Sequence, residues 1–206
     1  MSPETNALRE DISYMRRLAE QGRSGPILGG MFLAAAGLVF GATCFVDWAA
    51  RSGWLPIFGW GFLYLWLGAF AVFGVIWFAL YYRLRSFPGK AASPSNAAFG
   101  VAWSACAIGV MVAFASVEII AAVIKSPIVL NAYIPTLFAF YGVAWFSSAA
   151  MARRPWMFAA AAGSFAFSLI MAVLAENKLQ IAVMGVALLL LLTLPGLQLM
   201  KEEARR

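Results

Sequence analysis

The chain alternates between long apolar stretches and short segments that hold nearly all of its charged residues. A helix that crosses a bilayer needs about 20 mostly apolar residues. Six stretches reach this length, and polar or proline-containing segments separate them. The pattern predicts an all-α, polytopic membrane protein with six transmembrane helices. The predicted spans are 27–46, 57–80, 99–124, 128–151, 156–175 and 179–200.

These spans divide the chain into three regions. Residues 1–26 are predicted to form a cytoplasmic amphipathic head with a glycine-rich lead-in, 27–200 the transmembrane bundle, and 201–206 a cytoplasmic tail. Since helices joined by short connections pack antiparallel, we expect the six spans to form three hairpins. The predicted hairpins are 27–84, 99–152 and 156–200.

The distribution of lysine and arginine predicts the orientation of the spans. With the N-terminus in the cytoplasm, the outer side holds only three of the 15 cations, namely Arg51, Lys125 and Lys178. Cytoplasmic loops carry an excess of lysine and arginine, so both termini are predicted to be cytoplasmic. The net charge of +6 suits an anionic lipid surface. No segment could form a basic nucleic-acid-binding domain, so we expect no nucleic-acid partner.

The composition excludes whole classes of protein. Hydrophobic residues make up 63% of the chain and charged residues 12%, with a mean hydropathy of +0.83. Soluble domains are about 45–50% apolar and about 25% charged, so a soluble enzyme is excluded. The chain has no histidine and two cysteines, which removes imidazole-based nucleophile pairs, proton relays and zinc sites. We therefore expect no catalytic residues, no cofactor and no metal, and a protein that is not an enzyme.

The head contains an amphipathic helix. Leu8, Ile12 and Met15 recur at helical spacing and form one apolar face. One interpretation is an interfacial helix that lies on the inner leaflet of the bilayer with its arginines on lipid phosphates. The other is a docking helix for a cytosolic partner. The arginines that border the apolar face are Arg9, Arg16 and Arg17.

The segment DISYMRRLAEQGRSGPILGG at 11–30 also resembles the start of a known group of proteins. These are small, uncharacterised six-span inner-membrane proteins of proteobacteria. The resemblance covers about a tenth of the chain and includes no catalytic motif. It implies a location in a bacterial inner membrane, and it implies no particular activity.

Glu118 is the one acidic residue well inside a predicted span. It lies about 9 Å from the outer end of its helix at 1.5 Å per residue. Intramembrane acids are costly and are candidate functional residues. The alternative is a structural carboxyl that hydrogen-bonds to serine, tryptophan or tyrosine on a neighbouring helix. Lys125, two turns away on the same face, completes the candidate polar site, whereas Asp47 is expected to be interfacial and to end the first span.

Two patterns predict helix packing. Gly37 and Gly41 form a G-x-x-x-G pair, which lets helix backbones approach closely, more often within one chain than between two. The second span carries an aromatic stripe, expected to face lipid or a packed surface rather than a ligand. The stripe consists of Phe62, Trp66, Phe70, Phe73 and Trp77.

Together these features favour a non-enzymatic membrane scaffold or regulatory subunit. Its expected partners are the lipid bilayer, a cytosolic or membrane protein that binds the cytoplasmic face, and further copies of itself. The alternative is a small transporter or channel that uses Glu118 as a proton or cation site. Substrate sites in transporters often use interrupted helices, and all six spans are predicted to be unbroken, which disfavours this alternative.

Overall fold

The computed structural model describes residues 12–13, 29–85 and 94–204. Six helical segments in these ranges are long and apolar enough to cross a membrane. The prediction of six helices long and apolar enough to cross a membrane is therefore confirmed, which supports a multi-pass membrane protein. The arrangement as three hairpins with both termini in the cytoplasm stays a prediction.

The spans are built from seven α-helices. A 3₁₀-helix, Pro127–Ala132, leads into the fourth span, and a π-helical turn, Leu189–Thr193, interrupts the sixth. The α-helices are α1 (Gly30–Arg51), α2 (Trp60–Arg85), α3 (Pro94–Ile124), α4 (Tyr133–Ala152), α5 (Pro155–Val173), α6 (Leu179–Leu188) and α7 (Leu194–Ala204).

The π-helical turn corrects the prediction of unbroken spans. Pro195 has no N–H group and cannot donate to the carbonyl of Leu191, its partner in a regular helix. The turn widens instead, and the N–H of Leu194 donates to the carbonyl of Leu189, five residues earlier. The sequence cause is therefore a single proline in the apolar stretch LLLLTLPG.

The first span packs against the sixth along a line of glycines. A Cβ atom added to Gly37 would lie 2.3 Å from Oγ1 of Thr193, and one added to Gly30 would lie 2.7 Å from the carbonyl oxygen of Gly196. Gly41 faces Leu189 in the same way. The G-x-x-x-G pair thus serves packing within the chain, as the sequence analysis favoured.

The aromatic stripe of α2 faces α1. Phe40 of α1 lies between Phe70 and Phe73, with ring centroids 5.0 and 5.3 Å away. Phe32 lies 6.0 Å from Trp77 further along the two helices. The stripe therefore packs against α1 in part and stays partly open, since Phe70 and Trp77 are 49% and 39% exposed.

A second set of packed helices is formed by α3, α4 and α5. Trp103 of α3 packs edge-on against Trp145 of α4, with centroids 5.2 Å apart. A Cβ atom added to Gly142 of α4 would lie 2.4 Å from the ring of Phe165 in α5. In contrast, α2 and α3 bury few residues, so most of their surface faces outward. Side chains that are fully buried include Phe138, Trp145, Met157, Met171, Leu188 and Leu192.

The two ends of the bundle carry different polar groups. Gly30 and Leu199 meet at one end, where Arg154 also lies, and we call this the Arg154 end. Asp47 lies at the other, near the start of α2, and we call this the Asp47 end.

Candidate functional site

Glu118 lies on the outer surface of α3. Its side chain is exposed, and within the described part of the chain it takes part in no hydrogen bond or ion pair. The expected hydrogen bond to a neighbouring helix of the same chain is therefore not formed there. The carboxyl faces the surroundings of the bundle rather than its interior.

Lys125 does not pair with Glu118. It follows the end of α3 in the left-handed backbone conformation, with φ of 53°, and its side chain is exposed. The two residues are seven positions apart, about 10 Å along a helix. The structure thus places both members of the predicted polar site on the surface without bringing them together.

Most of the predicted head face lies outside the described residues. Ile12 is helical and its side chain is 54% exposed, and the apolar face of the head stays a prediction. The other members of the face and its border lie outside the described ranges. These are Leu8, Arg9, Met15, Arg16 and Arg17.

A polar clamp closes the Arg154 end. Arg154, in the turn between α4 and α5, donates to the carboxylate of Glu202 in α7 and forms an ion pair with it. The indole Nε1 of Trp156 donates to the second carboxylate oxygen of Glu202 at 3.0 Å. One carboxylate near the end of the chain is thus held by two residues about 46 positions earlier in the sequence. The clamp fixes the α4–α5 turn against the last helix.

A second clamp lies at the Asp47 end. Asp47 is 1% exposed, and α1 continues past it to Arg51, so Asp47 does not end the helix. Its interfacial depth stays a prediction. Its carboxylate forms an ion pair with Arg51 and accepts a hydrogen bond of 2.8 Å from Nε1 of Trp66 in α2. Arg51 also lies over the ring of Phe62, 4.6 Å from the ring centre. A buried carboxylate is tolerated here because both of its oxygens have partners.

The widened turn of the sixth span meets α4 in the interior. The indole Nε1 of Trp145 donates to the carbonyl of Leu191 at 3.0 Å. Among the side chains of residues 12–13, 29–85 and 94–204, three polar atoms are buried without a hydrogen-bond partner. They are Nε1 of Trp103, Oγ of Ser148 and Oγ1 of Thr193.

No group of three or more Asp, Glu, Cys or His side chains that could hold a metal ion occurs among residues 12–13, 29–85 and 94–204. Cys44 and Cys106 are both buried and free. The charged side chains in the two clamps neutralise one another, which is a structural use of charge.

The ion pair of Asp47 with Arg51 and every tryptophan donor were missed from the sequence. The four-residue spacing of that pair is a local signal for an ion pair on one helix face. Nothing local could predict that Trp66, 19 positions away, completes the site. No protein-family model, curated protein or solved structure matches the chain. Its function is inferred from its own residues.

Proposed function

We propose that this protein is a non-enzymatic scaffold or regulatory subunit of a bacterial inner membrane, which binds a partner through its cytoplasmic face. In this proposal the Arg154 end faces the cytoplasm, both termini lie there, and the six spans form three successive hairpins. The excess of cations at this end supports the orientation.

The clamp at the Arg154 end is the observation that carries the proposal. In this clamp Arg154 and Glu202 fix the α4–α5 turn on α7. The neighbouring cations take no part in the clamp. A fixed surface that displays several positive charges suits an acidic protein partner or an anionic lipid surface. The exposed cations of the described chain at this end are Arg83, Arg85, Arg153 and Lys201.

The position of Glu118 supports a scaffold over a transporter. A transport carboxylate lines the interior of a bundle or a water-filled path. Glu118 instead lies on the outer surface of α3, and the buried acid Asp47 is occupied by Arg51 and Trp66. The positions of these two carboxyls argue against ion passage through the described bundle.

A small proton- or cation-coupled transporter or channel that uses Glu118 is the second candidate. One observation favours it, because the π-helical turn at Leu189–Thr193 interrupts a span, as substrate sites in transporters often require. The carbonyl of Leu191 at this turn is already engaged by Trp145, however. The turn is thus explained by Pro195 and by helix packing.

Charge reversal at the Arg154 end tests the scaffold proposal, and charge reversal elsewhere on the chain is the control. The double variant Arg153→Glu and Lys201→Glu should lose a protein that cross-links to the wild type in native membranes. The matched control, Lys125→Glu and Lys178→Glu, changes two exposed cations outside the Arg154 end and should keep it. Recovery of the same proteins with both double variants, or of none with the wild type, would contradict the proposal.

The head is tested by a second variant in the same membranes. Ile12→Asp places a charge on the apolar face of the head helix. If this helix docks a partner, the change releases the cross-linked protein. If the helix is only interfacial, the change loosens the head from lipid and leaves the partner bound. Unchanged lipid contact together with unchanged partner recovery would exclude both functions of the head.

A further inference from the structure

The exposed aromatic side chains of α2 include residues near both ends of the helix. Trp60 is 74% exposed at the Asp47 end, and Tyr81 and Tyr82 are 43% and 63% exposed at the Arg154 end. Trp60 and Tyr81 are about 31 Å apart along a helix at 1.5 Å per residue. The hydrocarbon core of a bilayer is about 30 Å thick, and exposed tryptophan and tyrosine collect at its two surfaces. This match places Tyr81 and Tyr82 at the level of the lipid headgroups.

Two arginines follow the tyrosines at the end of α2. Arg85 comes four residues after Tyr81 and three after Tyr82, so it lies one turn beyond both on the helix surface. This turn adds about 6 Å along the helix axis, which brings Arg85 to the depth of the lipid phosphates. Arg83 lies in the same last turn, and both arginine side chains are exposed.

The charge of these arginines is not neutralised within the described chain. Neither Arg83 nor Arg85 takes part in a hydrogen bond or ion pair with another described residue. The arginine near the other end of α2 differs, because Arg51 is paired with the buried carboxylate of Asp47. The Arg154 end of α2 therefore carries two uncompensated positive charges beside its exposed tyrosines.

A flat aromatic wall lies on the hydrocarbon side of the arginines. The rings of Trp77 and Tyr81 are stacked, with centroids 5.3 Å apart and planes within 5° of parallel. Phe32 of α1 contacts Trp77 at 6.0 Å, yet the Trp77 side chain is still 39% exposed. A stacked pair that is held from one side and open on another offers many dispersion contacts to an acyl chain.

We infer that the Arg154 end of α2 binds one phospholipid with an anionic headgroup, whose phosphate lies on Arg83 and Arg85 and whose acyl chain lies along Tyr81 and Trp77. The planar guanidinium group donates paired hydrogen bonds to phosphate. A zwitterionic headgroup brings its own cation and would leave the two arginines uncompensated, so the site selects a lipid with net negative charge. The site goes beyond the proposed function, because it requires neither a protein partner nor a particular orientation of the chain.

Native mass spectrometry tests the selection by charge. The protein in mild detergent is titrated with phosphatidylglycerol or with phosphatidylcholine of the same acyl chains. The wild type should retain one phosphatidylglycerol molecule more tightly than phosphatidylcholine. The double variant Arg83→Gln and Arg85→Gln should bind phosphatidylglycerol about 5- to 30-fold more weakly and lose the preference, as expected when cations near an anionic lipid are removed. The matched control, Arg153→Gln and Lys201→Gln, removes two exposed cations from the same end and should keep it.

A second variant tests the aromatic wall. Trp77→Ala should weaken the binding of both lipids by the same factor, because the ring contacts the acyl chain and not the headgroup. Val75→Ala is the control, since Val75 is 71% exposed on the same helix and lies outside the wall. Thermal melting of the lipid-free variants in detergent shows that each remains folded.

Three results would overturn the inference. The first is a wild type that retains phosphatidylglycerol and phosphatidylcholine equally. The second is equal loss of phosphatidylglycerol from the two double variants, which would mean diffuse attraction to the whole charged end. The third is a change at Arg83 and Arg85 that releases a cross-linked protein and leaves lipid retention unchanged, which would assign these arginines to an acidic protein partner.

Discussion

The indole of Trp145 and the backbone carbonyl of Leu191 are joined by a hydrogen bond of 3.0 Å across 46 positions of sequence. The bond exists because Pro195 withholds the N–H that would normally satisfy this carbonyl. It links α4 to the point where the sixth span widens into a π-helical turn. The proline thus frees a carbonyl, and Trp145 of α4, 46 positions earlier in the sequence, satisfies it.

Replacement of this tryptophan should destabilise the protein. Trp145→Phe keeps an aromatic ring but leaves the Leu191 carbonyl without its donor, at a cost of about 1–3 kcal/mol. Trp103→Phe is the matched control, because the buried Nε1 of Trp103 has no partner and its loss removes an unsatisfied donor. Unfolding in detergent, followed by intrinsic fluorescence, measures both changes.

A double variant that combines Trp145→Phe with Pro195→Ala tests whether Pro195 is the reason that the Leu191 carbonyl needs Trp145 as its donor. An alanine restores an N–H that can reach the Leu191 carbonyl, so Trp145→Phe should cost less in that background. Equal destabilisation by Trp145→Phe and Trp103→Phe would show that the ring, and not the hydrogen bond, matters.

The hydrogen bond from Trp145 to Leu191 is a contact that the sequence alone does not predict. The six spans follow from the length of the apolar stretches, and the packing of Gly37 follows from its small-residue pattern. The π-helical turn depends on how the chain accommodates Pro195, since a proline in a membrane helix needs partners for the freed backbone groups. Those partners come from other helices. Local pattern therefore predicted the apolar helices and the close packing of Gly37, but not which distant tryptophan completes a site.

At the Asp47 end, Trp66→Phe should lower stability. Asp47 is buried, and loss of the Trp66 donor removes a hydrogen bond to a charged acceptor, worth about 1.5–3 kcal/mol. Trp60→Phe is the control, because Trp60 lies on the same helix and is 74% exposed. Thermal melting in detergent measures the difference. A Trp66→Phe variant as stable as the control would mean that Arg51 alone satisfies the carboxylate.

At the Arg154 end, Glu202→Gln should loosen the last helix without unfolding the bundle. The ion pair with Arg154 is partly exposed, so its loss should cost only about 1 kcal/mol. Hydrogen–deuterium exchange should rise in α7 and in the α4–α5 turn together, because the clamp joins them. Glu203→Gln, one residue further on, should leave exchange unchanged. Faster exchange confined to α7 would show that the clamp does not hold the turn.

The orientation can be read by labelling introduced cysteines with an impermeant thiol reagent. Asn177→Cys should be labelled from outside intact cells, because the residue is exposed and lies between α5 and α6, on the predicted outer side. Ser52→Cys should behave in the same way. Ala204→Cys, at the end of α7, should be labelled only after the membrane is permeabilised. The reverse pattern would invert the orientation and place the clamp of Arg154 outside the cell.

Reconstituted flux separates the scaffold from the transporter at Glu118. For a scaffold, vesicles that contain the wild type should pass protons or cations no faster than empty vesicles. Glu118 has no hydrogen-bond partner within the described chain. Glu118→Gln and Glu118→Ala should therefore both melt, as monomers in detergent, within about 0.5 kcal/mol of the wild type. A wild-type flux that Glu118→Gln abolishes at unchanged melting would establish a transport carboxyl. An alanine variant clearly less stable than the glutamine variant would instead reveal a buried hydrogen bond, because only glutamine keeps a polar group that can fill it.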